Sequence, residues 1–207
     1  MDFSVQNIQK ALNQLERRYH TPYFYELTLR LLGEAWNMDL LEGTPKSDLV
    51  MIAQAARLHD IGKLSLPRSL LDAPALTPYE EALLQKHAEF GRAILAALTP
   101  EGKGRPRMIC YAMDICQYHH EQWDGNGYPA GLKGDQIPAF VRVVSLADFY
   151  DTLRTPQRRR AAMSHQSAKA MILNFYQGVF QPELLTCFHG IIDSIVADLY
   201  LERNCHG

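Results

Sequence analysis

Six side chains able to bind a metal fall in four short segments of the chain: His59-Asp60, His87, His119-His120 and Asp148. Imidazole and carboxylate together suit Fe, Mn, Zn, Ni or Co, and no thiolate is positioned to compete. A set of this kind does hydrolytic chemistry, because a cation held by neutral nitrogens and anionic oxygens polarises a phosphoester and activates water. Each segment alone has an ordinary reading. A lone histidine is more often a packed core side chain, and Asp148 after an apolar run could pair with Arg142. Their joint occurrence in one chain makes a metal centre the sharper expectation.

The elements that position these groups read as helices throughout. Val5, Ile8, Leu12 and Leu15 make an apolar stripe in a first helix, and Leu27, Leu31 and Leu32 mark a second over 23–36. Thr44-Pro45 and Ser47 open a third, running to Gly62, so that His59-Asp60 would close it. Thr77-Pro78-Tyr79-Glu80 has the form of a capping box, and the helix it opens is expected to carry Leu83, Leu84, His87, Ile94 and Leu95. Further helices fit 107–119, 140–153, 164–176 and 182–200. Between the third-last and the one before it the pattern breaks: residues 124–138 contain four glycines and two prolines, a structured loop without helical period. His119-His120 stands where that loop begins, so both rings can enter one cavity. The fold class expected is all-α, a helical bundle with one long glycine-rich loop, formed by a single domain over 1–207.

Composition narrows the partners. The formal net charge of -2 and pI of about 6.4 give no basic field for a nucleic-acid polymer or an anionic membrane. The exception is local, at Arg154 and Arg158-Arg159-Arg160. Four cysteines without C-x-x-C spacing read as reduced thiols. Met1 to Gln14 lacks an apolar run of signal-peptide length, and no stretch of about 18 apolar residues could span a membrane. The cytoplasm is the default expectation.

These segments resemble a known family. His59-Asp60-Ile61-Gly62-Lys63 is similar to the signature of HD-domain phosphohydrolases. His119-His120-Glu121, Asp124-Gly125, Gly127-Tyr128-Pro129, Gly131-Leu132, Gly134, Ile137-Pro138, Arg142-Val143, Ala147-Asp148 and Tyr150-Asp151 follow the extended HD-GYP pattern. The resemblance covers roughly residues 20–190. It implies an HD-domain helical bundle and hydrolysis of a cyclic dinucleotide, cyclic di-GMP first, by a hydroxide bridging two metal ions. It also implies one or two divalent transition metals per chain (Fe, Mn, Ni or Zn). Asp60 would bridge them, with His87, His119 and His120 on one side and His59 and Asp148 on the other. Asp60 and Lys63 are the expected catalytic residues, and Lys63, Tyr128, Arg158 and Arg160 the expected substrate contacts. A signalling-protein partner and a homodimer are open expectations.

Two departures from the pattern stand out in this register. The family places a further histidine on the helix before the doublet, in a segment of the form Tyr-x-His-Ser/Thr-x-Arg-Val. Aligned on Tyr25 and Arg30, that position is Leu27, and the glutamate one turn earlier becomes Tyr23. His20 then stands about 10 Å up the helix axis, out of reach. Downstream of Asp148, Gln157 replaces the first basic residue and only Arg160 is in register. The departures leave two rivals open: a sensor that has lost full metal loading, and an HD phosphohydrolase acting on another nucleotide phosphoester.

Overall fold

The structure, a computed structural model, describes residues 20–99, 104–157 and 160–204. The expected first helix and Arg158 lie outside them. The helices are α1 (Phe24–Asn37), α2 (Leu49–Ala56), α3 (Arg68–Asp72), α4 (Pro78–Gln85), α5 (His87–Leu98), α6 (Arg107–Tyr118), α7 (Ala139–Arg154), α8 (His165–Phe175) and α9 (Pro182–Asn204). Among the described residues there is no strand; Gln157 and Arg160 form one isolated bridge.

The bundle is organised around α7. Most helices expose one polar face, but α7 buries Phe140, Val141, Val143, Val144, Leu146, Ala147, Tyr150 and Leu153 around its circumference, as a central helix must. Helix α1 packs on α2, α7 and α9, while α6 packs on α2 and α5. Their shared core includes Leu31, Leu32, Ile52, Ile115, Val144, Leu146, Phe188 and Ile192, each fully buried. Asp148 and Asp151 therefore ride on a helix that is packed around its circumference.

Two expected helices are cut short, both beside a metal-competent residue. Helix α2 ends at Ala56, and His59-Asp60 follows in a run of tight turns leading into a 3-10 helix at Ile61–Ser65. The Thr77 capping box forms as expected, but its helix stops at Gln85 and a new one begins at His87. Both breaks serve one contact. Gly62 lies so close to the start of α5 that an added Cβ would sit 1.9 Å from the His87 carbonyl oxygen. The backbone bearing the doublet thus docks directly on the backbone bearing His87, which continuous helices with side chains between them would prevent.

Candidate metal centre and its cavity

Three imidazoles are set in the same way. The Nδ1–H of His59 donates to the Ala56 carbonyl at 2.7 Å, and that of His87 to the Leu84 carbonyl at 2.7 Å. His119 Nδ1 donates to the carbonyls of Ile115 and Cys116 at 2.9 and 3.1 Å. Carbonyls only accept, so each ring carries a proton on Nδ1 and turns its Nε2 inward, and the two rings held neutral, His87 and His119, present that Nε2 bare. The consequence is an electrostatic conflict: Nε2 of His87 and Nε2 of His119 are 3.3 Å apart with no proton between them. His120 Nε2 lies 3.1 Å from His87 Nε2. Ligand nitrogens about 2.0–2.1 Å from one ion stand about 2.9–3.4 Å from each other. The donor set and its spacing therefore fit a divalent cation.

Asp60 divides the centre in two. Its Oδ1 is 3.4 Å from His87 Nε2 and 4.0 Å from His119 Nε2, while its Oδ2 is 3.6 Å from His59 Nε2 and pairs with the Lys63 ammonium. His59 Nε2 is also 3.5 Å from Asp148 Oδ1. Ligand atoms of His87, His119 and His120 lie within 4.8 Å of one another, as do those of His20, His59 and Asp148. All six residues expected from the sequence converge.

The electrostatics separate the two halves. Burial, together with the neighbouring imidazoles, drives His119 well below its usual range and His120 down to about 3, so both rings are held neutral. His87 is lowered too, chiefly by burial. His59 behaves oppositely: burial opposes its charge, but Asp60 and Asp148 outweigh it and raise the ring to about 9. That point of the cavity demands positive charge, from a proton or a metal. Asp60 and Asp148 stay ionised despite burial, Asp60 through Lys63 and His59, Asp148 mainly through His59.

His20 corrects the sequence reading. It is 8 % exposed, its ring stacks on Phe24 at 4.6 Å and meets His59 edge-on at 4.8 Å, and its Nδ1 is 3.8 Å from Asp148 Oδ1. The expectation that it lies a helix-length away assumed one continuous axis. Instead α1 starts only at Phe24, and the turn at 21–23 returns His20 to α7. Leu27 is plain core, 3 % exposed. The signal was available: His20-Thr21 is itself a His-Ser/Thr pair, and Pro22 warns of a helix start. In that register Glu16, not Tyr23, stands four residues before the histidine; it lies outside the described residues.

The cluster opens into a cavity of about 640 Å³, whose lining includes Asp60, Lys63, His119, His120 and Asp148. Phe149, Tyr176 and Phe180 form an aromatic wall, with ring centroids 4.6 and 5.6 Å from Phe149. Gln122 and Gln157 line it as well. Tyr128 stacks on His120 at 4.7 Å and is placed by the glycine-rich loop. Glu121, 5 % exposed, clamps that loop by accepting the N–H groups of Ala130 and Leu132 at 2.7 and 3.0 Å. At Gly127 an added Cβ would come within 2.4–2.5 Å of the backbone of residues 120–122, so only glycine fits. Arg160 is turned away: its guanidinium donates to the Thr152 and Leu153 carbonyls at 2.7 and 3.0 Å. It sits at the C-terminus of α7, the negative end of the helix dipole, where a cation is favoured, and does not line the cavity.

Within this helical bundle two clusters of metal-competent side chains therefore meet at one carboxylate, that of Asp60. Residues 11–184 match the HD domain family model, and the chain belongs to that family. It is 41% identical over 136 residues to a probable cyclic di-GMP phosphodiesterase of Vibrio cholerae, covering 65% of this chain and 31% of that protein. It is 34% identical over 146 residues to a 3'3'-cGAMP-specific phosphodiesterase of the same organism, covering 70% of this chain and 27% of that protein. A cyclic di-GMP phosphodiesterase of Thermotoga maritima is 28% identical over 197 residues, or 95% of this chain and 50% of that protein. The chain thus spans between a quarter and a half of these relatives. A solved HDG"Y"P protein from Bdellovibrio bacteriovorus shares the fold, with TM-score 0.60, 18% identity, and coverage of 91% of this chain and 59% of that one. Among the described residues no helix is long and apolar enough to cross a membrane.

Proposed function

We propose that the chain is a metal-dependent phosphodiesterase that hydrolyses a cyclic dinucleotide, cyclic di-GMP first. The observation that carries the reading is the division of ligands about Asp60, one oxygen toward His87 and His119 and the other toward His59. His87, His119 and His120 would hold one ion and His20, His59 and Asp148 the other, drawn from Fe, Mn, Ni and Zn. When bound, the ions supply charge neutralisation for the phosphodiester and water activation. The chain's own groups do the rest. Asp60 and Asp148 keep the floor anionic, so that it selects cations before substrate. Lys63 presents an ammonium beside that floor for a non-bridging phosphate oxygen. Phe149, Tyr176 and Phe180 offer a surface on which a nucleobase can stack. Tyr128, packed on His120, holds that ring against the cavity wall.

A second reading of the substrate has its own support. The amide of glutamine matches the N6/N7 edge of adenine, whereas guanine is usually met by arginine or lysine. With Gln122 and Gln157 in the lining, a mixed guanine–adenine cyclic dinucleotide fits as well. Product analysis with cyclic di-GMP and 3'3'-cGAMP in parallel tests both readings. Cleavage of either supports the phosphodiesterase, and the kcat/KM ratio assigns the base preference. Protein that binds a cyclic dinucleotide tightly, fully loaded with metal, yet never cleaves it would make it a sensor.

A further inference from the structure

Five imidazoles surround this centre, and three of them, His59, His87 and His119, take their orientation from backbone carbonyls three or four residues earlier in the chain. His20 is held differently. Its Nδ1–H donates at 3.1 Å to Oδ2 of Asp151, a residue 131 positions away on α7 and 1 % exposed. The same oxygen accepts the Thr21 backbone N–H at 2.9 Å, and Oδ1 accepts the Thr21 hydroxyl. Both oxygens of the Asp151 carboxylate are thus engaged by one dipeptide, His20-Thr21. On the far side of the ring, His20 Nε2 is buried and has no hydrogen-bond partner in the structure. A buried nitrogen without a partner is unfavourable unless something binds it.

We propose that Asp151 is a positioning residue for the metal centre: it holds His20 as the Nδ1–H tautomer, leaving the bare Nε2 as a ligand for the ion of the His59/Asp148 half. This rests on the two-ion reading above. Asp151 also protects Asp148. The Nδ1 of His20 is 3.8 Å from Asp148 Oδ1, the same oxygen that faces His59. With Asp151 absent, that N–H would turn to Asp148 and engage the carboxylate oxygen that the ion requires. A carboxylate behind a ligating imidazole raises its basicity and fixes its direction, and losing such a partner typically weakens metal affinity about 10–100-fold.

The test is metal stoichiometry and affinity in the full chain, measured by elemental analysis and Co(II) titration followed by absorption. Wild-type protein should bind two ions. Asp151→Ala should bind one with wild-type affinity and lose the other, and His20→Ala should reproduce that loss. Asp151→Asn can still accept the Nδ1–H, so it should bind both, the second about 10–100-fold more weakly. If Asp151→Ala does not fold, the Asn variant decides alone. Two ions at wild-type affinity and an unchanged Co(II) spectrum in either variant would reduce Asp151 to a clamp on the start of α1 and overturn the proposal. Wild-type protein that takes up no ion would overturn the two-ion reading on which it rests.

Discussion

His87 and His119 face each other through bare Nε2 atoms at 3.3 Å, each with its Nδ1 proton committed to a backbone carbonyl. Two lone pairs so placed repel, and neither ring can turn away without breaking its own backbone anchor. The folded state therefore contains a site whose cost is relieved by a cation. Metal removal should lower stability accordingly. For an ion present at about 100 times its Kd, linkage predicts a loss of about 2.7 kcal/mol on chelation. Calorimetry with and without chelator should show a large drop in Tm, restored by adding back Mn(II) or Zn(II). An unchanged Tm would mean that the folded protein binds no ion.

Asp60 is the residue whose loss should be most complete, because its two oxygens serve both halves of the centre. Asp60→Asn preserves shape but removes the charge. Its cyclic di-GMP hydrolysis should fall to background, and its metal content should fall for both ions together. Selective loss of one ion would show that Asp60 does not bridge.

Lys63 and Arg160 separate two cationic roles that look alike in the sequence. The Lys63 ammonium lies at the cavity beside Asp60, so Lys63→Ala should weaken substrate binding by about 1.5–3 kcal/mol, roughly 10- to 150-fold in KM. Arg160 instead donates to the carbonyls that end α7. Arg160→Ala should leave kcat/KM within about twofold and cost about 1 kcal/mol of stability. A tenfold rise in KM for Arg160→Ala would return it to the substrate site.

The glycine-rich loop gives a prediction of opposite character. Gly127→Ala places a methyl against the backbone of residues 120–122, so the loop must move, and Tyr128 with it. Overpacking of this kind costs about 1–3 kcal/mol. Activity should drop at least tenfold while metal binding by His87 and His119 persists, since their anchors lie outside the loop. Wild-type turnover in this variant would show that Tyr128 has no part in holding the site.

How far the sequence was legible depends on whether the information was local. The Thr77 capping box, the stripe of α1 and the span of α7 are local patterns, and they appear as expected. The breaks after Ala56 and Gln85 are not local. They arise because Gly62 and the start of α5 touch backbone to backbone, a contact no periodicity reveals. The convergence of the six expected residues was readable because motif spacing carries them. His20 was missed for a definite reason: a continuous helix was assumed through Pro22, and its partner Asp151 is 131 positions away. The direction of Arg160 was not legible because register says which residue is near, whereas the C-terminal carbonyls of α7 set where its guanidinium points.

The most direct test of the two-ion centre is anomalous diffraction from crystals grown with Mn(II) or Zn(II), which locates each ion as well as counting it. The account predicts two peaks per chain, one among His87, His119 and His120 and one among His20, His59 and Asp148, with Asp60 between them. A single peak, or a second ion bound away from His59 and Asp148, would contradict it.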